Sequence, residues 1–270
     1  MKYFFDAVMY LMAFLIIQFV SSYAVCAGWA LVEGESVVAE LKAMAGGGAH
    51  MSTMQLVMVQ VVAGIITMLL FLALRWSHAS RSYLRSKPYG VLFWAGVAVL
   101  GTVIPSQVFL ELVPLPNIVE TELGDMMGSS WGYLAVCIFA PLVEELVFRG
   151  AILRVLLEGT SRHWVAIFIS SVMFALAHFN PAQMPHAFCL GLLLGWMYYR
   201  TGSIVPGVVL HWVNNTLAYV VYNIFPQYND VKVVDLFGGN YLKVGLAVIF
   251  SLFILLPAIF QLHLRMKKVS

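Results

Sequence analysis

A chain of 270 residues that is 61% hydrophobic and only 10% charged, with a mean hydropathy of +0.89, falls far below the roughly 25% charge of a soluble domain. That composition excludes a water-soluble globular protein and predicts an all-α polytopic membrane protein with the lipid bilayer as its solvent. A net charge of +2 excludes a strongly basic chain built for nucleic acid, so the placement of charges is more informative than their sum.

About 20 apolar residues cross a bilayer, and about eight such stretches are present. The first runs from Ala7 to Val32. It is longer than the h-region of a signal peptide, roughly 7–15 residues, and is read as a retained span. An acidic, Gly-rich loop with Glu33, Glu35, Glu40 and Gly46 to Gly48 follows. The second span, Met54 to Leu74, ends in basic residues closed by Pro88, and the third covers Tyr89 to Leu110. An acidic loop with Glu111, Glu120, Glu122 and Asp125 leads to the fourth span, Trp131 to about Leu157, stopped by Gly159 and Thr160-Ser161. The fifth runs from His163 to His178 or Phe179, where Asn180-Pro181 breaks it. The sixth (Met184 to Tyr199), seventh (Ser203 to Ile224) and eighth (Val244 to Leu264) complete a single helical bundle. The three cysteines, Cys26, Cys137 and Cys189, lie inside apolar runs at no disulfide or zinc spacing and read as buried free thiols.

With both termini in the cytoplasm, strict alternation places Lys2, Arg75, Arg81, Arg85, Lys87, Arg149, Arg154, Arg162, Arg200, Arg265, Lys267 and Lys268 inside. Only Lys42, Lys232 and Lys243 fall outside, the asymmetry expected of an N-in, C-in protein. The chain divides into spans one to three (1–125), a polar-bearing core of spans four to seven (126–225), and a C-terminal loop with span eight (226–270).

The core carries charges where a charge costs about 2.5–3.5 kcal/mol on insertion scales. Glu144, Glu145 and Arg149 share the fourth span. Glu145 and Arg149, four apart, occupy one helix face and are expected to pair. Glu144 has no basic residue three or four positions away and needs a partner on another helix. If spans four and five turn about Thr160-Ser161, His178 lies level with Glu144, with Phe174 one turn earlier beside its ring. The seventh span adds His211 and Asn215 on one face, with Asn214 on another. His186, after Pro185, and the histidines at span ends are expected to play no central part.

A carboxylate beside an imidazole in a dry pocket can hold and deprotonate a water. A second imidazole and a carboxamide can stabilise the oxyanion formed at an amide carbonyl. By ligand type Glu144, His178 and His211 would also suit zinc or another divalent metal, although no His-Glu-x-x-His spacing is present. Metal-held and metal-free water remain alternatives.

The ordered set Glu144-Glu145-x-x-x-Arg149, Phe174-x-x-x-His178 and His211-x-x-x-Asn215, with the turn Arg200-Thr201-Gly202-Ser203 before the last, resembles the signature motifs of the CPBP family. This is the CAAX prenyl protease and bacteriocin-processing ("Abi") group of intramembrane endopeptidases. The likeness covers Trp131 to Tyr222 and implies a CAAX-protease-like catalytic core at 126–225. It implies Glu144 as catalytic carboxylate, His178 sharing the water, His211 and Asn215 at the oxyanion, and Glu145, Arg149 and Phe174 in support. It implies an enzyme, a metalloendopeptidase-like or glutamate-dependent hydrolase, that cuts a membrane-embedded or lipid-anchored peptide. The expected location is a bacterial plasma membrane. The other readings are a non-catalytic bacteriocin self-immunity or peptide-binding protein, and a transporter, which the lack of repeat symmetry disfavours.

Depth sets one condition. His178 lies at the outer end of its span and His211 on the inner half of its own, so they meet only if the hairpin of spans four and five protrudes by about 10 Å. The linker 180–185 then lies at membrane depth against a cavity, expected to open towards the cytoplasm.

Overall fold

A computed structural model describes residues 2–46, 50–78, 81–229 and 231–268. Gly47 and Gly48 of the expected Gly-rich loop lie outside the described residues. Every regular element among those described is helical. The long helices are α1 (Lys2–Glu33), α3 (Thr53–Ala73) and α5 (Tyr89–Leu112), with short helices α2 (Val37–Ala45), α4 (Arg81–Arg85) and α6 (Glu120–Met127) between and after them. Next comes α7, continuous through Ser130–Gly132, Tyr133–Phe139, Ala140–Glu144, Glu145–Leu153 and Arg154–Gly159. It is followed by α8 (His163–Leu176), α9 (Met184–Thr201), α10 (Val205–Ile224), α11 (Val233–Leu236) and α12 (Tyr241–Arg265).

The ends follow local chemistry. Ser52 starts α3 with a reciprocal capping box to Gln55, satisfying two otherwise orphaned donors. Asn240 Oδ1 accepts from the N–H groups of Leu242 and Lys243 at the start of α12. Gly202 ends α9 in the left-handed conformation, φ 67°, which costs glycine nothing. The expected loops after spans one and three contain α2 and α6, polar segments too short to show in a hydropathy reading.

Four helices among the described residues are long and apolar enough to cross a membrane: α1, α3, α5 and α12. The fourth to seventh expected spans are all present as helices, but α8 has only 14 residues and the others carry the polar groups of the core. The four clear candidates form two pairs around that core. One buried cluster joins Phe14 of α1 and Phe71 of α3 to Val147, Phe148 and Ile152 of α7 and Ile167 of α8. The other joins Ala95 and Val99 of α5 and Ala258 and Leu262 of α12 to Leu194 and Met197 of α9 and Leu210 of α10. Cys26 and Cys137 are buried as expected, whereas Cys189 is exposed, on the outer side of α9.

Several helix ends are gathered at one end of the bundle. Gly159 at the end of α7 packs on Tyr3 at the start of α1. Arg154 donates from Nη2 to Trp76 O, just past α3, at 3.0 Å. His163 at the start of α8 stacks on Tyr199 near the end of α9 at 4.2 Å. Arg200 donates to His263 O of α12 at 2.8 Å. Arg149 is not part of that basic end. It is 1% exposed and heads the fully buried side chains by volume, so eleven basic residues, not twelve, remain to set the charge asymmetry.

Candidate active site

The winding of α7 decides where its charges point. Over Tyr133–Phe139 it is a π-helix, and Ala140 N–H reaches Ala135 O. The next such bond would come from residue 141 to Val136 O, but Pro141 has no N–H. Asn215 on α10 takes that place, donating from Nδ2 to Val136 O at 2.9 Å. A second π stretch, Glu145–Leu153, holds the charged pair. There, side chains enter the ladder: Ser170 Oγ of α8 donates to Phe148 O at 3.0 Å, and Arg154 Nε, one turn on in α7 itself, to Gly150 O at 3.2 Å. Such wide turns mark places where a helix is reshaped around a site. The sequence reading treated this span as a regular helix; the reshaping depends on partners from α8 and α10, which no local pattern reports.

The expected pair is formed. Arg149 donates from Nη1 to Glu145 Oε1 at 2.8 Å, with both side chains almost fully buried. The guanidinium also lies 4.3 Å from the centre of the Phe174 ring, a cation–π contact, and its Nη2 points at Gly191 O, 3.4 Å away. Glu145 Oε1 receives a second partner, His211 Nδ1, at 3.3 Å. The other nitrogen, His211 Nε2, faces Glu144 Oε2 at 3.8 Å. His211 therefore stands between the two carboxylates, its ring orientation fixed through Nδ1. This approach of α10 needs Gly207, because a Cβ there would sit 2.6 Å from Glu145 Oε2.

Phe174 organises both histidines. Its ring meets His178 edge-to-face at 4.9 Å and His211 at 5.9 Å. His178 Nδ1 is engaged by Phe174 O at 2.9 Å, leaving Nε2 for other partners. The residue after it, Phe179, has φ 51°. That left-handed backbone strains a bulky residue and turns the chain sharply from α8 into the 180–183 linker. Asn180 is fully buried: it donates to Asn117 Oδ1 at 2.8 Å and accepts from Ile118 N–H at 3.2 Å. The linker is thus tied to the loop after α5 rather than facing lipid.

Glu144 and His178 line two cavities that meet at them. The larger, about 620 Å³, is mainly apolar and walled by Phe14, Leu15, Ile16 and Phe19 of α1 with Phe148 and Phe179. The second, about 410 Å³, is lined by Glu144, His178, His186, His211, Asn214 and Asn215, with Leu123, Met126 and Met127 towards α6. Gln60 of α3 lines both. Glu144 Oε2 makes no hydrogen bond within the protein although it is buried, so its acceptor capacity is directed at whatever enters. The polar cavity lies towards α6 and the 180–183 linker, at the opposite end of the bundle from Arg154 and Arg200. It is not placed at the basic end, as the sequence reading expected.

All seven residues singled out, Glu144, His178, His211, Asn215, Glu145, Arg149 and Phe174, therefore meet in one region, although Asn215 already uses one N–H on Val136 O. Three more join them. Asn214, assigned to another face, donates from Nδ2 to Asn215 Oδ1 at 3.1 Å. His186 lines the same cavity as His178, His211 and Asn214. Gln60 had no signal beyond being a carboxamide within an apolar span. The signal for His186 was its place in the first turn of α9, straight after Pro185. The expected metal set fares differently. Among the described residues no three His, Cys, Asp or Glu side chains are grouped to hold an ion, and Glu144, His178 and His211 do not form one.

Residues 127–217 match the family model described as Type II CAAX prenyl endopeptidase Rce1-like. The "Uncharacterized 24.3 kDa protein" of Escherichia coli is 28% identical over 137 residues, 46% of this chain and 57% of that protein. The membrane-embedded CAAX protease MroQ of Staphylococcus aureus (strain USA300) is 29% identical over 97 residues, 34% of this chain and 39% of that one. The UPF0177 protein YxdF of Lactococcus lactis subsp. lactis (strain IL1403) is 28% identical over 130 residues, covering 44% and 71%. The chain thus spans little more than half the length of the first of these relatives and less of the second. No solved structure matches it. With its three motifs converging on one site, the segment 127–217 is similar to the core of the CPBP/CAAX protease family, and the chain that carries it is an integral, multi-pass membrane protein.

Proposed function

We propose that this protein is an intramembrane endopeptidase that hydrolyses a peptide bond in a membrane-associated peptide or protein. The observation that carries the reading is the buried, unpartnered Glu144 Oε2, set beside His178 and His211 in a cavity reached by two carboxamides. Glu144, with His178 Nε2, holds a water and takes its proton as the oxygen attacks the scissile carbonyl carbon. The negative charge that develops on the carbonyl oxygen is met by the second N–H of Asn215 and by an N–H at His211 Nε2. Glu144 then returns the proton to the leaving amine as the C–N bond breaks. Glu145 and Arg149 act through His211, whose Nδ1 they anchor. No step is routed through a metal.

The same reading completes the topology: eight spans, both termini in the cytoplasm, in a bacterial plasma membrane. Eleven basic residues on one face against three on the other support it. So does α1, whose 32 residues extend about 48 Å against a hydrocarbon core of about 30 Å. Its first turns protrude, and the end of α7 protrudes beside them.

The test compares peptide termini in membrane fractions of cells carrying wild-type protein or Glu144→Gln at matched expression. A set of cuts present only with wild type, reduced by about 10²-fold or more in the variant, is the expected result. Identical termini in both would overturn the protease reading in favour of a protein that only holds a peptide.

A further inference from the structure

His186 is outside the three motifs, and the mechanism above does not use it, yet its ring lines the polar cavity together with Glu144, His178 and His211. It is anchored in the first turn of α9, after Pro185, and shares the wall of this cavity with Asn214 and Asn215 of α10. From there a chain of carboxamides runs across α10: Asn214 Nδ2 to Asn215 Oδ1 at 3.1 Å, then Asn215 Nδ2 to Val136 O at 2.9 Å.

The direction of that chain is fixed at one end by chemistry. A backbone carbonyl only accepts, so Asn215 must turn its NH₂ group to Val136 and its oxygen to Asn214. Asn214 must then turn its NH₂ group to Asn215, leaving its own oxygen for a donor. An imidazole N–H of His186 is such a donor. Without it, Asn214 can rotate, release Asn215 Oδ1 and let the Asn215 amide swing about its bond to Val136. The N–H of Asn215 not bound to Val136 would then lose its aim into the cavity.

We infer that His186 is a positioning residue that, through Asn214, locks the Asn215 carboxamide with its free N–H directed at the oxyanion. This rests on the protease reading, which makes Asn215 an oxyanion donor, and deepens it: the donor is held by a side chain from a third helix outside the motifs.

Two measurements on the full chain test this and separate its failure from that of the protease reading. The first follows the rate at which wild-type-dependent membrane-peptide termini appear in cells carrying His186→Leu, His186→Gln, Asn214→Leu and the His186→Leu/Asn214→Leu double variant. Each Leu variant should slow the cuts by about tenfold or more, and the double variant should be no slower than the singles, because the links act in series. His186→Gln, which keeps an N–H donor, should recover to within about threefold of wild type. Full activity of His186→Leu, multiplicative losses in the double variant, or a Gln variant as slow as Leu would each overturn the inference.

The second needs no activity: the ¹⁵N spectrum of histidine-labelled protein in nanodiscs, with the His186 signal identified by its loss in His186→Gln. Asn214→Leu should shift that signal. An unmoved signal overturns the relay whatever the activity. A shifted signal with no wild-type-dependent cuts leaves the hydrogen-bond chain standing, removes its catalytic purpose, and places the failure on the protease reading.

Discussion

Gly207→Ala places one methyl group against the carboxylate that orients His211. The new Cβ would stand 2.6 Å from Glu145 Oε2 and 3.3 Å from its Cδ, where ordinary contact begins at 3.4 Å. The shortfall is 3.4 less 2.6, so either the carboxylate or α10 must move by about 0.8 Å. Glu145 has little freedom to move alone. Its other oxygen is held by Arg149 at 2.8 Å and His211 Nδ1 at 3.3 Å, in a site fully closed to solvent. The movement therefore passes to His211 and changes its 3.8 Å separation from Glu144. A misplacement near 1 Å at a reacting centre costs up to about 10²-fold in rate, and overpacking costs about 1–3 kcal/mol of stability. The expected outcome is a loss of about 10²-fold in the appearance of wild-type-dependent termini, with the protein still inserted and folded. Gly245→Ala is the matched control, since nothing lies within 4 Å of its added Cβ; replacing an open helical glycine should gain about 0.5–1 kcal/mol. If folded Gly207→Ala protein cuts within threefold of wild type, the coupling of Glu145 to His211 to Glu144 is wrong.

Arg149→Met removes the cation from a fully buried pair and leaves Glu145 with His211 alone, a loss of about 3–5 kcal/mol. Adding Glu145→Gln removes the stranded charge, so the double variant should be more stable than Arg149→Met in denaturant unfolding from detergent micelles; a double variant that is less stable refutes the pairing. At Phe179, with φ 51°, glycine relieves the left-handed penalty of about 1–2 kcal/mol that alanine retains, against an entropic cost of about 0.5–1 kcal/mol. Phe179→Gly should therefore be at least as stable as Phe179→Ala, the reverse of their order in a helix interior, and the same unfolding measurement decides it.

Much of this site was legible because membrane depth makes polar residues conspicuous. Glu145 and Arg149 share a helical face, and their pairing needed nothing beyond spacing. The antiparallel register about Thr160-Ser161 brought His178 level with Glu144, and both line the same cavities. What the sequence did not report is contact made across helices. His211 Nε2 comes to 3.8 Å from Glu144 Oε2, because α10 packs closely against α7 over Gly207. The π turns of α7 were invisible for the same reason: Ser170 of α8 and Asn215 of α10 come from other helices, 22 and 79 residues along the chain, to satisfy its carbonyls. Asn214 sits on a neighbouring face, as its position in the helix dictates, yet its side chain still reaches Asn215 Oδ1 at 3.1 Å.

The walls of the two cavities have different origins, and that bears on what the family likeness can carry. The polar groups that would perform hydrolysis, Glu144, His178, His186, His211, Asn214 and Asn215, all lie within residues 127–217. Much of the wall of the larger cavity does not: Phe14, Leu15, Ile16, Gln18, Phe19 and Ser22 come from α1 and Gln60 from α3, facing Phe148, Ala177 and Phe179 of the matched segment. A peptide reaching Glu144 through the larger cavity passes those residues first, and a pocket discriminates by the shape and polarity of what it buries. One methylene in such a wall is worth about 1–3 kcal/mol between competing substrates. On the proposed protease reading, the matched core would carry the reaction, while the N-terminal helices, which lie outside the matched segment, would select the substrate.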